Sequence, residues 1–126
     1  MNISKFTTKS QEVVQECEKV AMDYGHQEMG EDHLLAAMLR VEGSLIPKLI
    51  EKMGIDVDVF QAKVDGVLAK RPKVSGGDMR IDRYLNEALV YAEDEAKRMG
   101  DEYVSVEHLF LSVLEHPSRE IKALMK

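Results

Sequence analysis

Two histidines raise the first chemical question in this chain. His33 follows Asp32 in the stretch EDHLLAAML, and His108 follows Glu107 in VEHLFLSVL, seventy-five positions further on. Two imidazoles and two carboxylates are a donor set that tetrahedral zinc could accept. Each pair also stands where a helix should begin. There an acid favours the positive end of the helix dipole and a histidine can hydrogen-bond locally, which accounts for both residues without a metal. We therefore expect no metal site. Cys17 is the one thiol; it has no helper nearby in sequence and falls on an apolar helical stripe, so it reads as an inert buried side chain. His26 and His116 read as turn residues. The phosphate-binding patterns G-x-x-x-x-G-K-[ST] and G-x-G-x-x-G are absent, as are H-E-x-x-H and C-x-x-C. The chain is expected to hold no catalytic residue and no cofactor.

Helices must position these residues. The chain is rich in Glu, Lys, Ala, Leu and Met and shows no clean alternation, which predicts an all-α fold. Helix one is expected from the N-cap Thr7 to Gly25, with Val13, Val14, Cys17, Val20, Ala21 and Tyr24 inward. Helix two follows from about Glu31 to Val41. A short third helix opens after Ser44, holds Pro47 in its first turn and stops at Gly54. Asp56 caps a fourth, with Phe60, Val64, Val67 and Leu68 inward. The stretch KRPKVSGGDMR, with Pro72, Ser75, Gly76 and Gly77, lacks periodicity and reads as a linker. Helix five, about Asp82 to Met99, turns Leu85, Ala88, Leu89, Ala92, Ala96 and Met99 inward, and Gly100 closes it. Ser105 and Ser118 cap helices six and seven.

Sliding the chain by seventy-five residues superposes helix five on one, six on two and seven on three. Glu12, Glu18, Ala21, Gly25, His33, Leu34, Leu39, Ile46 and Leu49 then meet identical residues without a gap. The matches fall on the capping glycine and on core positions, as a true repeat requires. The expected organisation is a tandem repeat of a four-helix unit: repeat one over residues 1–70, a linker over 71–80 and repeat two over 81–126. Helix four would find its counterpart near position 131, so the second repeat is expected to lack its last helix and the chain to be a piece of something longer.

Composition narrows the partners. A net charge of −6 and the absence of any long Lys/Arg cluster argue against nucleic acid. No apolar run approaches the length of a membrane span, the N-terminal MNISKFTTKS has no signal-peptide core, and a single cysteine fits a reducing compartment. A cytoplasmic domain is expected. On a helical wheel Tyr84 and Tyr91 lie at the edge of the helix-five stripe, where an apolar ring with a polar tip suits partner contact or roofs the core. The eight methionines fall mostly at core spacing.

The opening ISKFTTKSQEVV, the helix starts GEDHLL and SVEHLF, the KRPKVSGG segment and GDEYVSVEHL together resemble the N-terminal domain of Clp AAA+ chaperones, of the ClpB disaggregase type before the protease-associated ClpC type. The resemblance covers the whole chain. It implies two pseudo-twofold four-helix repeats joined to an ATPase ring outside this chain, with ATP and magnesium belonging to that larger homohexameric protein. It also implies recognition of unfolded or aggregated polypeptides, or docking of an adaptor. The family's contact positions lie in a groove at the repeat junction and fall on Thr7, Leu89, Tyr91, Asp101, Glu107 and His108. Tyr91 and His108 depart from the smaller aliphatic residues usual there.

Overall fold

The computed structural model describes residues 4–74 and 76–125. Ser75 of the expected linker, Ile3 of the ISKFTT start and Lys126 lie outside the described residues. Among the described residues the elements run α1 (Thr8–Tyr24), β1 (Glu28–Met29), α2 (Glu31–Arg40), α3 (Ile46–Lys52), α4 (Val57–Lys70), β2 (Arg80–Ile81), α5 (Arg83–Arg98), α6 (Val106–Glu115) and α7 (Arg119–Leu124).

Four helices begin at the expected caps, Thr7, Asp56, Ser105 and Ser118, and α5 is capped by Asp82, the residue expected to start it. Each of the five side chains accepts a backbone N–H of the first turn, which satisfies a donor that has no intrahelical partner. The two long helices also end alike. Gly25 and Gly100 both take φ 75°. The next N–H in each case reaches back into the last turn, His26 to the Ala21 carbonyl and Asp101 to that of Ala96, both at 2.8 Å. A side chain at that φ would crowd its own carbonyl, so glycine closes both copies.

The inward stripes bury largely as their spacing dictates: Val13, Cys17, Val20 and Ala21 on α1, Phe60, Val64 and Leu68 on α4, and Leu85, Ala88, Leu89, Ala92 and Ala96 on α5. α2 is the central helix. It packs on α1, α3, α4, α5 and α6, and every residue from Glu31 to Met38 is buried. Met99, expected inward, is instead 56% exposed, because it stands past Ala96, the last buried residue of α5. The methionines likewise depart from expectation. Met29 and Met38 are buried, but Met22, Met53, Met99 and Met125 are exposed.

The all-helical expectation missed two short parallel pairings. β1 pairs with β2, Glu28 opposite Arg80 and Met29 opposite Ile81. A single bridge joins Phe6 to Val104. The seventy-five-residue offset carries Met29 onto Val104 and Ile81 onto Phe6, so these are two copies of one contact. In each, the segment entering α2 or α6 of one repeat pairs with the segment entering α5 or α1 of the other. Two residues are too few to write an alternating pattern, so only the assembled repeats create the strand.

The Phe6–Val104 junction is held further by the Thr7 N–H on the Val104 carbonyl at 2.9 Å and by the buried Ser10 hydroxyl on the same oxygen at 2.7 Å. Ser10→Ala is expected to lower stability by about 1 kcal/mol, the net value of one buried hydrogen bond. Urea unfolding would read it; an unchanged midpoint would mean that this bond does not help hold the repeats together.

α4 has no counterpart in the second repeat among the described residues. Leu111 of α6 is 37% exposed, whereas Ala36, its equivalent on α2, is 3% exposed.

Candidate functional site

The two junctions are built from equivalent residues, but their chemistry differs. At the first, α2 opens at Gly30, which has no side chain to cap it. His33 reaches back instead, its Nδ1 accepting the Gly30 N–H at 2.9 Å. That bond leaves the His33 proton on Nε2, which donates to His26 Nδ1 at 2.8 Å. His26 must then carry its own proton on Nε2, a buried atom without a partner. His26 is 4% exposed, and burial, with the Arg71 charge nearby, lowers its pKa. The expectation of an ordinary turn residue is corrected: His26 is the buried brace of the α2 start.

Asp32 lies beside them, its side chain 4% exposed. Arg71, directly after α4, grips it with two prongs, Nε to Oδ2 at 2.7 Å and Nη2 to Oδ1 at 3.0 Å. The same Nη2 reaches the Asp82 Oδ2 at 3.1 Å, while the other Asp82 oxygen caps α5. Burial pushes the Asp32 carboxyl up, but the Arg71 guanidinium gripping both of its oxygens opposes this, and the carboxyl is held well below the usual carboxylate range. Gly30 makes room for the cluster: a Cβ there would run into the Arg71 guanidinium and stand 2.6 Å from the Asp82 Oδ2. Glu31 is 2% exposed. Its Oε1 accepts the Ser118 N–H at 2.7 Å, and its Oε2 has no hydrogen-bond partner among the described residues. Burial pushes this carboxyl up to about 7, against the downward pull of the Ser118 bond. A cavity of about 470 Å3 opens over Glu31, Asp32 and Arg71.

At the second junction the capping histidine is His108. Its Nδ1 accepts the Ser105 N–H at 2.9 Å, and its Nε2 donates to Asp101 Oδ2 at 2.9 Å. Asp101 thus stands where His26 stands in the first repeat, and Glu107 where Asp32 stands. Glu107 is half-buried and has no ion pair among the described residues. Thr7 takes the place of Asp82. Both histidines are therefore consumed by capping, and among the described residues no group of three or more His, Cys, Asp and Glu could hold a metal ion.

The six residues expected to contact a ligand do not form one surface. Asp101 and His108 bond directly, and Thr7 reaches their loop through Val104. Leu89 is 5% exposed and belongs to the core under α5. Tyr91 is 39% exposed and stacks on His116, ring centroids 3.8 Å apart, toward a different edge of α5. Of the six, Asp101 lines a cavity, one of about 180 Å3 shared with Lys5, Glu93 and Val104. Sequence reasoning missed Arg71 and Glu31. Arg71 is thirty-nine residues from Asp32, and no local pattern links them. Glu31 carried a faint signal as an acid inside an otherwise buried first turn.

These paired junctions within one helical core define a two-repeat helical domain with one sealed and one open acidic junction. The family model described as the Clp repeat N-terminal domain matches residues 5–126, and the chain belongs to that family. The chaperone protein ClpB of Nitratidesulfovibrio vulgaris is 42% identical over 126 residues, 96% of this chain and 15% of that protein. ClpB of Porphyromonas gingivalis is 40% identical over 114 residues, 90% and 13% of the two chains. This chain therefore spans about a seventh of the length of these relatives. Among solved structures, the Hsp104 N-terminal domain from Candida albicans superposes with a TM-score of 0.87 at 20% identity, over 97% of this chain and 80% of that one. A ClpV N-domain in complex with a VipB peptide gives 0.79 at 18% identity, over 98% and 78%. At these identities the two structures bear on the fold alone. Among the described residues no helix is long and apolar enough to cross a membrane.

Proposed function

We propose that this chain is the polypeptide-recognition domain of a ClpB-type, ATP-dependent disaggregating chaperone. It takes hold of exposed segments of unfolded or aggregated proteins and passes them to an ATPase ring elsewhere in a longer, cytoplasmic, homohexameric protein. It contributes binding and no catalysis. ATP and magnesium belong to the ring, since this chain has no glycine-rich phosphate loop to receive them.

One observation carries the reading. Of two equivalent junctions, the first is sealed by Arg71 on Asp32 and Asp82, while the second holds Asp101 on His108 and leaves Glu107 half-buried and without an ion pair among the described residues. The open junction suits a segment that is apolar and basic. Leu89 lies in the core under α5, and Tyr91 stacked on His116 offers a separate exposed surface on the same helix. Carboxylates at a shallow rim give weak, sequence-tolerant binding, with a Kd of about 10 μM or weaker. Weak binding suits a domain that must let go.

The test is an amide NMR titration with a permanently unfolded polypeptide. Shifts around Thr7, Tyr91, Asp101, Glu107 and His108 are expected, weakened in Glu107→Gln at unchanged unfolding midpoint. No shift at millimolar ligand would sink the client reading. A tight one-to-one complex with a folded protein would favour adaptor docking instead, the ClpC-type alternative.

A further inference from the structure

A second docking face lies between α4 and α7, away from Thr7 and Glu107. A hollow of about 550 Å3 runs there over Lys63, Gly66, Val67, Arg119, Ala123 and Leu124. It shares Val67, Lys70 and Glu120 with the 470 Å3 cavity above Glu31, so the two form one continuous groove.

Three features suggest that the groove receives a ligand. The first is charge. Lys63, Lys70 and Arg119 border it against the single exposed acid Glu120, and Arg71 is already matched by Asp32 and Asp82. This is a positive rim on a chain of net charge −6. The second is Gly66. Glycine weakens a helix interior, yet a Cβ at Gly66 would meet nothing within 4 Å. No packing within this chain asks for it. Its effect is to leave the α4 backbone bare along the groove, where a second backbone could approach closely. The third is Glu31, buried at the inner end, whose Oε2 has no hydrogen-bond partner among the described residues.

We propose that the α4–α7 groove docks an acidic, amphipathic polypeptide segment. Its apolar side chains lie on Val67, Ala123 and Leu124, its backbone passes over Gly66, and its carboxylates face Lys63, Lys70 and Arg119. A polar group entering the inner hollow meets the unpaired oxygen of Glu31. The concave shape selects a peptide over a flat bilayer, and the rim selects acids, the opposite preference to the Glu107 junction. The two faces would hold different partners, or different parts of one client.

The experiment is an NMR and anisotropy titration of this chain with a short synthetic peptide of alternating Leu and Glu, beside its Leu and Lys counterpart. Saturable shifts at Lys63, Gly66, Val67, Arg119 and Ala123 are expected from the acidic peptide alone. Lys63→Glu with Arg119→Glu should weaken it about tenfold or more. Gly66→Leu is the decisive variant, because leucine strengthens the helix while filling the groove: its unfolding midpoint should hold or rise while binding is lost. The proposal is overturned if the Lys peptide binds equally well, if Gly66→Leu binds as the wild type does, or if anionic phosphatidylserine vesicles shift these amides and the peptide does not. Shifts confined to Thr7 and Glu107 would overturn it while supporting the client surface.

Discussion

Replacing Arg71 by alanine is expected to lower folding stability by about 3 kcal/mol, even though the residue sits in the segment between the repeats. The guanidinium makes three charge-assisted hydrogen bonds, two of them to Asp32, whose side chain is 4% exposed. Breaking a buried pair from one side leaves a charge with neither partner nor full hydration, which typically costs about 3–5 kcal/mol. Water entering through the cavity above the cluster softens the loss, so we place it at the lower end. Arg71→Lys should recover only part, because one ammonium cannot replace a two-pronged fork. In Arg71→Met combined with Asp32→Leu much of the loss should vanish, since no charge is stranded. Urea unfolding of the four proteins is the measurement. A loss below about 1 kcal/mol in Arg71→Ala would show that solvent screens the cluster as it screens surface pairs.

Stability should also fall as the pH rises from 5 to 8, and Glu31 should be the cause. Its carboxyl titrates near 7 when folded, against about 4.5 when unfolded. In that window the folded state keeps a proton that the unfolded state has released, so raising the pH favours unfolding. The contribution is complete below the unfolded value and lost once the folded group ionises, a loss of about 2–3 kcal/mol. His26 acts with the opposite sign. Its folded pKa is lowered, so the unfolded chain binds the extra proton at low pH and stability gains as the pH rises toward 6.5. Comparing the wild type with Glu31→Gln separates the two, because both proteins keep His26 and the glutamine oxygen can still accept the Ser118 N–H. The difference between their pH–stability curves should grow in favour of Glu31→Gln from pH 5 to 8. Parallel curves would mean that Glu31 is hydrated when ionised and that Ser118 alone decides its environment.

Both predictions rest on residues that the repeat pattern placed but did not explain. The helix starts, their caps, the two closing glycines and most inward positions were legible in the sequence, because each is fixed by neighbours within about four residues. The offset that pairs His33 with His108 was equally legible, and it sets an acid and a histidine at the start of both α2 and α6. The two strand pairings were not, since each joins two short segments from different repeats and neither segment carries a pattern of its own.

What the sequence alone determined is a tandem helical domain with an acid and a histidine at the mouth of each repeat. Only the tertiary structure decided that these equivalent mouths differ. The chain after α4 brings Arg71 against Asp32 and Asp82 and seals one, while Glu107 has no ion pair among the described residues in the other. Charge, burial and reach are properties of assembled surfaces, and no spacing along the chain records them. The same holds for Gly66, which the sequence shows only as a weak point inside helix four and which α7, packing nearby, makes part of a groove.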